Sequence, residues 1–390
     1  MTARFHKAGG FSLVELMVSV VIGMLALLFA TRLLTGSEQN RQSAMGGSDS
    51  MQNGMLALFS ISGDAGQAGF GLNSTLAIGC NTKFSDKGGG YTLATASRNA
   101  TAIQPLAPVV IEPNAGGADK VTFYSGTSVA GTPALRVLVS YASGSRIDVD
   151  RIPYGFDEHD VILVVPEPAG GDCALAELSE DPNHGPGAQY LVVGETNGSR
   201  FNTGDLGASF TGSASRVFNL GPAKALSFRT WSVADGFLRL SATNIGSSAA
   251  ASAVADNIVS LKAQYGFDTR VGDAFQPGAG LQVKKWSSAM IDADGDAVTG
   301  GPGDWQRIAA VRLAVVARSK NPEHPAADGS CSATRDADRP VAFGTNAPAG
   351  VPAVPVTVNV AVTGDPVDWQ CYRYRVFETI VPFRNASWRP

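Results

Sequence analysis

Histidine is nearly missing from this 390-residue chain, which holds only His6, His159, His184 and His324, none in a nucleophile-like context. The patterns G-x-S-x-G, H-E-x-x-H and G-x-x-x-x-G-K-[ST] are absent, which removes the usual starting geometries for acyl transfer, zinc proteolysis and phosphate-loop chemistry. Scattered Asp and Glu residues give no spacing that would define a glycosidase pair. The expectation is a protein without enzymatic activity. Cysteine is also sparse, at Cys80, Cys173, Cys331 and Cys371, with no C-x-x-C and no metal-like His/Cys spacing; zinc ribbons and thioredoxin-type redox centres are excluded on that pattern. Charged residues are only 16% and the formal net charge is −4, so nucleic acid is not an expected partner. Internal repeats are lacking as well.

What is present at the amino terminus is a long apolar run. From Phe11 to Thr31 the only charge is Glu15, and at about 1.5 Å per residue this segment reaches roughly 30 Å, enough to cross one bilayer core. Arg4 and Lys7 precede it, which places the amino terminus on the cytoplasmic side and the rest outside. A secretory signal peptide would carry a shorter apolar region and an A-x-A-like site after it; no A-x-A occurs near Ala30. A carboxylate inside an apolar span is costly, so Glu15 either reaches back to the headgroups or has a partner.

The residues Gly10-Phe11-Ser12-Leu13-Val14-Glu15, after a short basic leader and before an apolar helix, resemble the type IV prepilin family without a mismatch. The resemblance implies cleavage after Gly10 by a prepilin peptidase, methylation of the new amine on Phe11, and pairing of the Glu15 carboxylate with the amino-terminal amine of an adjoining subunit. Such pairing is favourable in an apolar bundle only when the charges are close and well placed. The chain is long for a major pilin. Its blocks Asp256–Gly266, Ala310–Ser319 and Cys371–Asn385 are similar to minor pilins of the PilW type. The implied partners are other minor and major pilins, the peptidase and, before assembly, the inner membrane. The implied role is in priming or tipping a pilus, with a type II secretion pseudopilin or a pilus-tip adhesin as alternatives.

The expected fold class is α+β: a long amino-terminal helix followed by a mainly antiparallel, β-rich body. Residues 1–10 are the leader, 11–34 the membrane segment, 35–70 a periplasmic continuation of the helix, and 71–390 the body, with room for two lobes. Met51, Met55, Leu58 and Phe59 fall at i, i+4, i+7 and i+8, which predicts one helical side facing the body. Gly36, Gly46, Gly47 and Gly54 weaken the helix between, by about 1 kcal/mol each relative to Ala, so the sequence allows either local melting or a break into two helices. Gly63, Gly66, Gly69 and Gly71 end it.

Strands are expected at 120–124, 135–141, 161–165, 190–193, 225–231, 237–241, 258–267, 308–318, 356–362 and 373–381, and loops at 167–188, 245–255 and 326–355. In an exported body the four cysteines can form disulfides. Three pairings exist, and Cys331 with Cys371 plus Cys80 with Cys173 is favoured because it ties a long Pro/Gly/Ala loop to the strand after Tyr372. Asp292, Asp294 and Asp296 around Gly295 offer alternate carboxylates suited to calcium, or a polar turn. An EF-hand would need Gly at the sixth position and Glu at the twelfth, where Ala297 and Gly303 stand. Asp157-Glu158-His159-Asp160 reads as a solvated turn.

Overall fold

A computed structural model describes residues 12–385 apart from 73, 128–133, 168–169, 196–197, 246–249 and 327. The leader with Gly10, and Phe11, lie outside the described residues.

Helix α1 runs unbroken from Leu13 to Gln67. It passes through Gly36, Gly46, Gly47 and Gly54 without the break that the sequence allowed. At Gly54 the reason is contact: a Cβ there would overlap the Phe377 ring, so the glycine sets how closely the helix can sit on the body. The helix stops where Ala68 turns extended and Gly69 and Gly71 adopt φ of 81° and 74°, a left-handed geometry that glycine enters without a Cβ penalty.

Fourteen strands build the body's three main sheets: β1 (Asn81–Lys83), β2 (Val109–Glu112), β3 (Lys120–Ser125), β4 (Leu135–Arg136), β5 (Asp160–Pro166), β6 (Asp172–Glu177), β7 (Ser215–Pro222), β8 (Ser227–Ala234), β9 (Phe237–Ala242), β10 (Ser252–Asp256), β11 (Ile258–Phe267), β12 (Lys285–Ser287), β13 (Ile308–Arg318) and β14 (Tyr374–Pro382). Their orders are β1-β6-β5-β7-β4, β10-β9-β8-β3-β2 and β12-β11-β13-β14. Pairing is antiparallel except between β1 and β6. The body is β-rich and mostly antiparallel, as the α+β reading expects. Strands β6 and β10 arise inside segments expected to be loops. Cys173 and Leu175 of β6 are buried in the core, and β10 pairs with β9 in register with Leu238; tertiary pairing recruits short runs whose local pattern is weak.

One large core joins the inner side of α1 (Ala57, Ile61, Ala65) to all three sheets. A second core lies beyond β5, whose Val161, Leu163 and Val165 face the first core while Ile162 and Val164 face the second; this is the period of two at work. Strand β11 shows the expected alternation of Leu261, Ala263, Tyr265 and Phe267, yet every residue in it is buried. Its other face is covered by 320–372, which packs Ala342, Phe343, Val358 and Val360 against Val259, Ala314 and Val316. Lys262 on that buried strand is held 2.9 Å from Asp119, as a buried ammonium requires.

Candidate assembly site

The amino-terminal turn of α1 carries its own cap. Ser12 Oγ accepts the Val14 N–H at 3.3 Å and the Glu15 carboxylate accepts the Ser12 N–H at 3.1 Å, a reciprocal arrangement that satisfies two orphan donors. Glu15 therefore folds back on its own helix start in the single chain. A carboxylate at this end is also favoured by the helix dipole. From Leu13 to Leu34 the helix is long and apolar enough to cross a membrane, and the body does not bury it.

Farther along, the sides of α1 differ from expectation. The inward side is Ser50, Gly54, Ala57, Ile61 and Ala65, all small except Ile61 and at helical spacing, which lets the backbone lie close to the sheet. Met51, Met55 and Phe59 are turned outward, Phe59 being 78% exposed, and Leu58 is only partly buried. Of the four residues expected to face the body only Leu58 packs on its core; Met51, Met55 and Phe59 face outward, and the closest approach falls at Gly54, against the Phe377 ring.

Polar contacts fix the helix in place. Asp64 accepts from Arg229 Nη1 at 2.6 Å and from Trp231 Nε1 at 2.8 Å; burial raises its carboxyl above the ordinary range, outweighing the pull of Arg229 and the Trp231 bond. Asn53 donates to Asp256 at 2.6 Å. At the end of the helix Asn385 Nδ2 donates to the carbonyls of Gln67 and Ala68 at 3.2 Å, serving as a cap supplied from the far end of the chain. Sequence reasoning missed Asp64 and treated Gly54 only as a weak point; the small residues Ser50, Gly54, Ala57 and Ala65 at helical spacing were the available signal.

Strands β11, β13 and β14, which hold the three blocks singled out in the sequence, make the sheet next to this helix. Residues 230–385 match the family of type IV pilus-assembly protein W, and residues 5–31 match the prokaryotic N-terminal methylation motif. Together the two matches are consistent with a PilW-type pilin. No curated protein and no solved structure matches the chain. The PilW match begins within β8 and takes in the helix-bearing sheet, leaving the second core outside it. Pilin-type matches point to a structural, non-enzymatic protein associated with type IV pili and anchored in a membrane by its apolar helix.

The remaining candidate residues fall elsewhere. Cys80 is bonded to Cys173 and Cys331 to Cys371; the first joins β6 to the segment before β1, the second ties the 320–372 cover to the start of β14. Asp292, Asp294 and Asp296 come together, with ligand atoms within 4.8 Å of one another. Their oxygens are already used by the turn: Asp292 accepts the Gly295 and Ala297 N–H groups, Asp294 that of Asp296, and Asp296 that of Val298. Calcium takes six to eight oxygens, more than these three side chains supply at one ligand atom each, so an ion here would need further ligands. Beneath the turn, buried Asp304 gathers the amides of Ala293, Gly300 and Gly301. His159 Nδ1 lies 2.8 Å from Glu177, and Asp160 accepts the Asp157 N–H at 2.9 Å, so that segment closes the turn before β5.

Proposed function

We propose that this protein is a minor pilin that primes or tips type IV pilus assembly, its helix inserted among the helices of other pilins. The observation that carries this reading is the side of α1 that the body leaves bare, apolar and exposed from Leu13 to Leu34 and again at Met51, Met55 and Phe59, while Ala57, Ile61 and Ala65 are clasped by the body. Each large apolar side chain that becomes covered contributes about 1.5 to 3 kcal/mol, so a row of them favours helix packing strongly. In this reading the leader is removed after Gly10, the amine of Phe11 is methylated, and the body is periplasmic until the subunit enters the pilus at the cell surface. Glu15 exchanges its internal bond to Ser12 for the terminal amine of a neighbour, an ionic partner in place of a neutral one. Its mechanism is association, with no cofactor.

Deletion tests the reading. Loss of surface pili with normal protein secretion is expected. Normal piliation with lost secretion would move the protein to a type II secretion machine, and piliated but non-adherent cells would make it an adhesin. Gly10→Val should block leader removal, seen as an uncleaved species by mass.

A further inference from the structure

Strand β14 is the last strand of its sheet, and it is nine residues long. Its register shows which main-chain groups are open. Ser319 N donates to Arg373 O at 2.8 Å and Phe383 N to Ala309 O at 2.9 Å, in line with the pairing of Arg318 to Tyr374 and Ala310 to Pro382. In an antiparallel ladder the bonded residues alternate, so the odd-numbered residues of β14 bond to β13. The amides and carbonyls of Tyr374, Val376, Glu378 and Ile380 face away from it, and Pro382, which has no N–H, takes the next outward position. An edge of this length is normally covered or blunted.

Helix α1 runs alongside the same edge. Gly47 lies beside Arg375, Gly54 beside Phe377, and Gln67 beside Asn385. One flank of the helix, with Asn53 and Asp64, is bonded to Asp256, Arg229 and Trp231 on the β8 and β10 side. At 100° per residue, Met51, Met55 and Leu58 occupy the opposite flank, on the side of the open edge. Met51 and Met55 are 42% and 52% exposed. The helix thus overhangs the place where one more strand would lie, with apolar side chains facing that place.

We propose that the open edge of β14 and the flank of α1 form a ledge for a β-strand from a neighbouring subunit. The two features ask for the same occupant. The edge requires main-chain donors and acceptors at strand spacing, and the flank requires apolar side chains on alternate residues, which a strand supplies together. This inference deepens the assembly reading by naming a second contact, on the body, beside the helix contact at Glu15.

The test uses the full chain, affinity-tagged and extracted in detergent with the subunits it holds, compared with the chain freed of them. Hydrogen exchange read residue by residue should slow at least tenfold at Tyr374, Val376, Glu378 and Ile380 in the complex only. Met51→Lys with Met55→Lys should leave the Tm unchanged and lower recovery of the complex at least tenfold. A complex whose four edge amides exchange as freely as in the separate chain, or undiminished recovery with the two lysines, would overturn the ledge. If Glu15→Ala abolishes the complex while those amides are unprotected in the wild type, helix assembly stands and the ledge falls. If the wild-type chain holds no subunit, both fall.

Discussion

The two ends of α1 obey different rules. Between Leu13 and Leu34 the helix is unburied and predominantly apolar, with most of its large side chains exposed. Between Ser50 and Ala65 it has an inside and an outside, and the inside is mostly small, Ser50, Gly54, Ala57 and Ala65 with Ile61 as the one large side chain. The contrast teaches that apolar size on this helix marks where a partner is still to come, whereas small residues mark where one is already seated. A helix apolar all round belongs in a membrane or a bundle core, and a helix with one close-packed side belongs on a body.

Glycine gives the largest expected break between the two ends. A Cβ at Gly23 meets nothing within 4 Å, whereas at Gly54 it would enter the Phe377 ring. Gly54→Val should cost about 1 to 3 kcal/mol by overpacking and lower the body's Tm by several degrees; Gly23→Val should leave that Tm where it is. Equal effects at the two sites would erase the distinction.

A smaller effect concerns charge. Burial lifts the Asp64 carboxyl above its unfolded value of 3.8, so the folded state holds this proton more tightly than the unfolded one. The stabilisation is full below pH 3.8 and is lost as pH rises through the folded value. Asp64→Asn, which mimics the protonated group, should therefore gain Tm relative to the wild type as pH is raised through that window.

The smallest effect is expected at the Asp292–Asp296 turn. Calcium at millimolar concentration should not move the Tm, because three carboxylates, at one ligand atom each, fall short of the six to eight oxygens the ion takes; a clear rise on adding calcium would show that the turn recruits the missing ligands and binds it.

Much of this was legible in the sequence, for identifiable reasons. The span of α1, the strands Ile258–Phe267 and Ile308–Arg318, and the match to pilins rest on long patterns that one segment carries alone. The side of α1 that meets the body was not legible from hydrophobicity, because the fit there is set by the gap above Phe377, more than 300 positions away. Strands β6 and β10 stayed hidden since their pairing partners, not their own residues, make them strands. Asn385 as the cap of α1 joins the two ends of the chain, and no local pattern announces it. At Glu15 the residue was evident while its internal bond to Ser12 was not.

The most direct measurement is the fate of Glu15→Ala in cells that carry the full assembly machinery. The account predicts normal removal of the leader, an unchanged Tm of the body, and at least a tenfold fall in the amount of protein recovered with sheared pili. Incorporation at the wild-type level would contradict it, since the apolar end of α1 would then be an anchor and not an assembly contact.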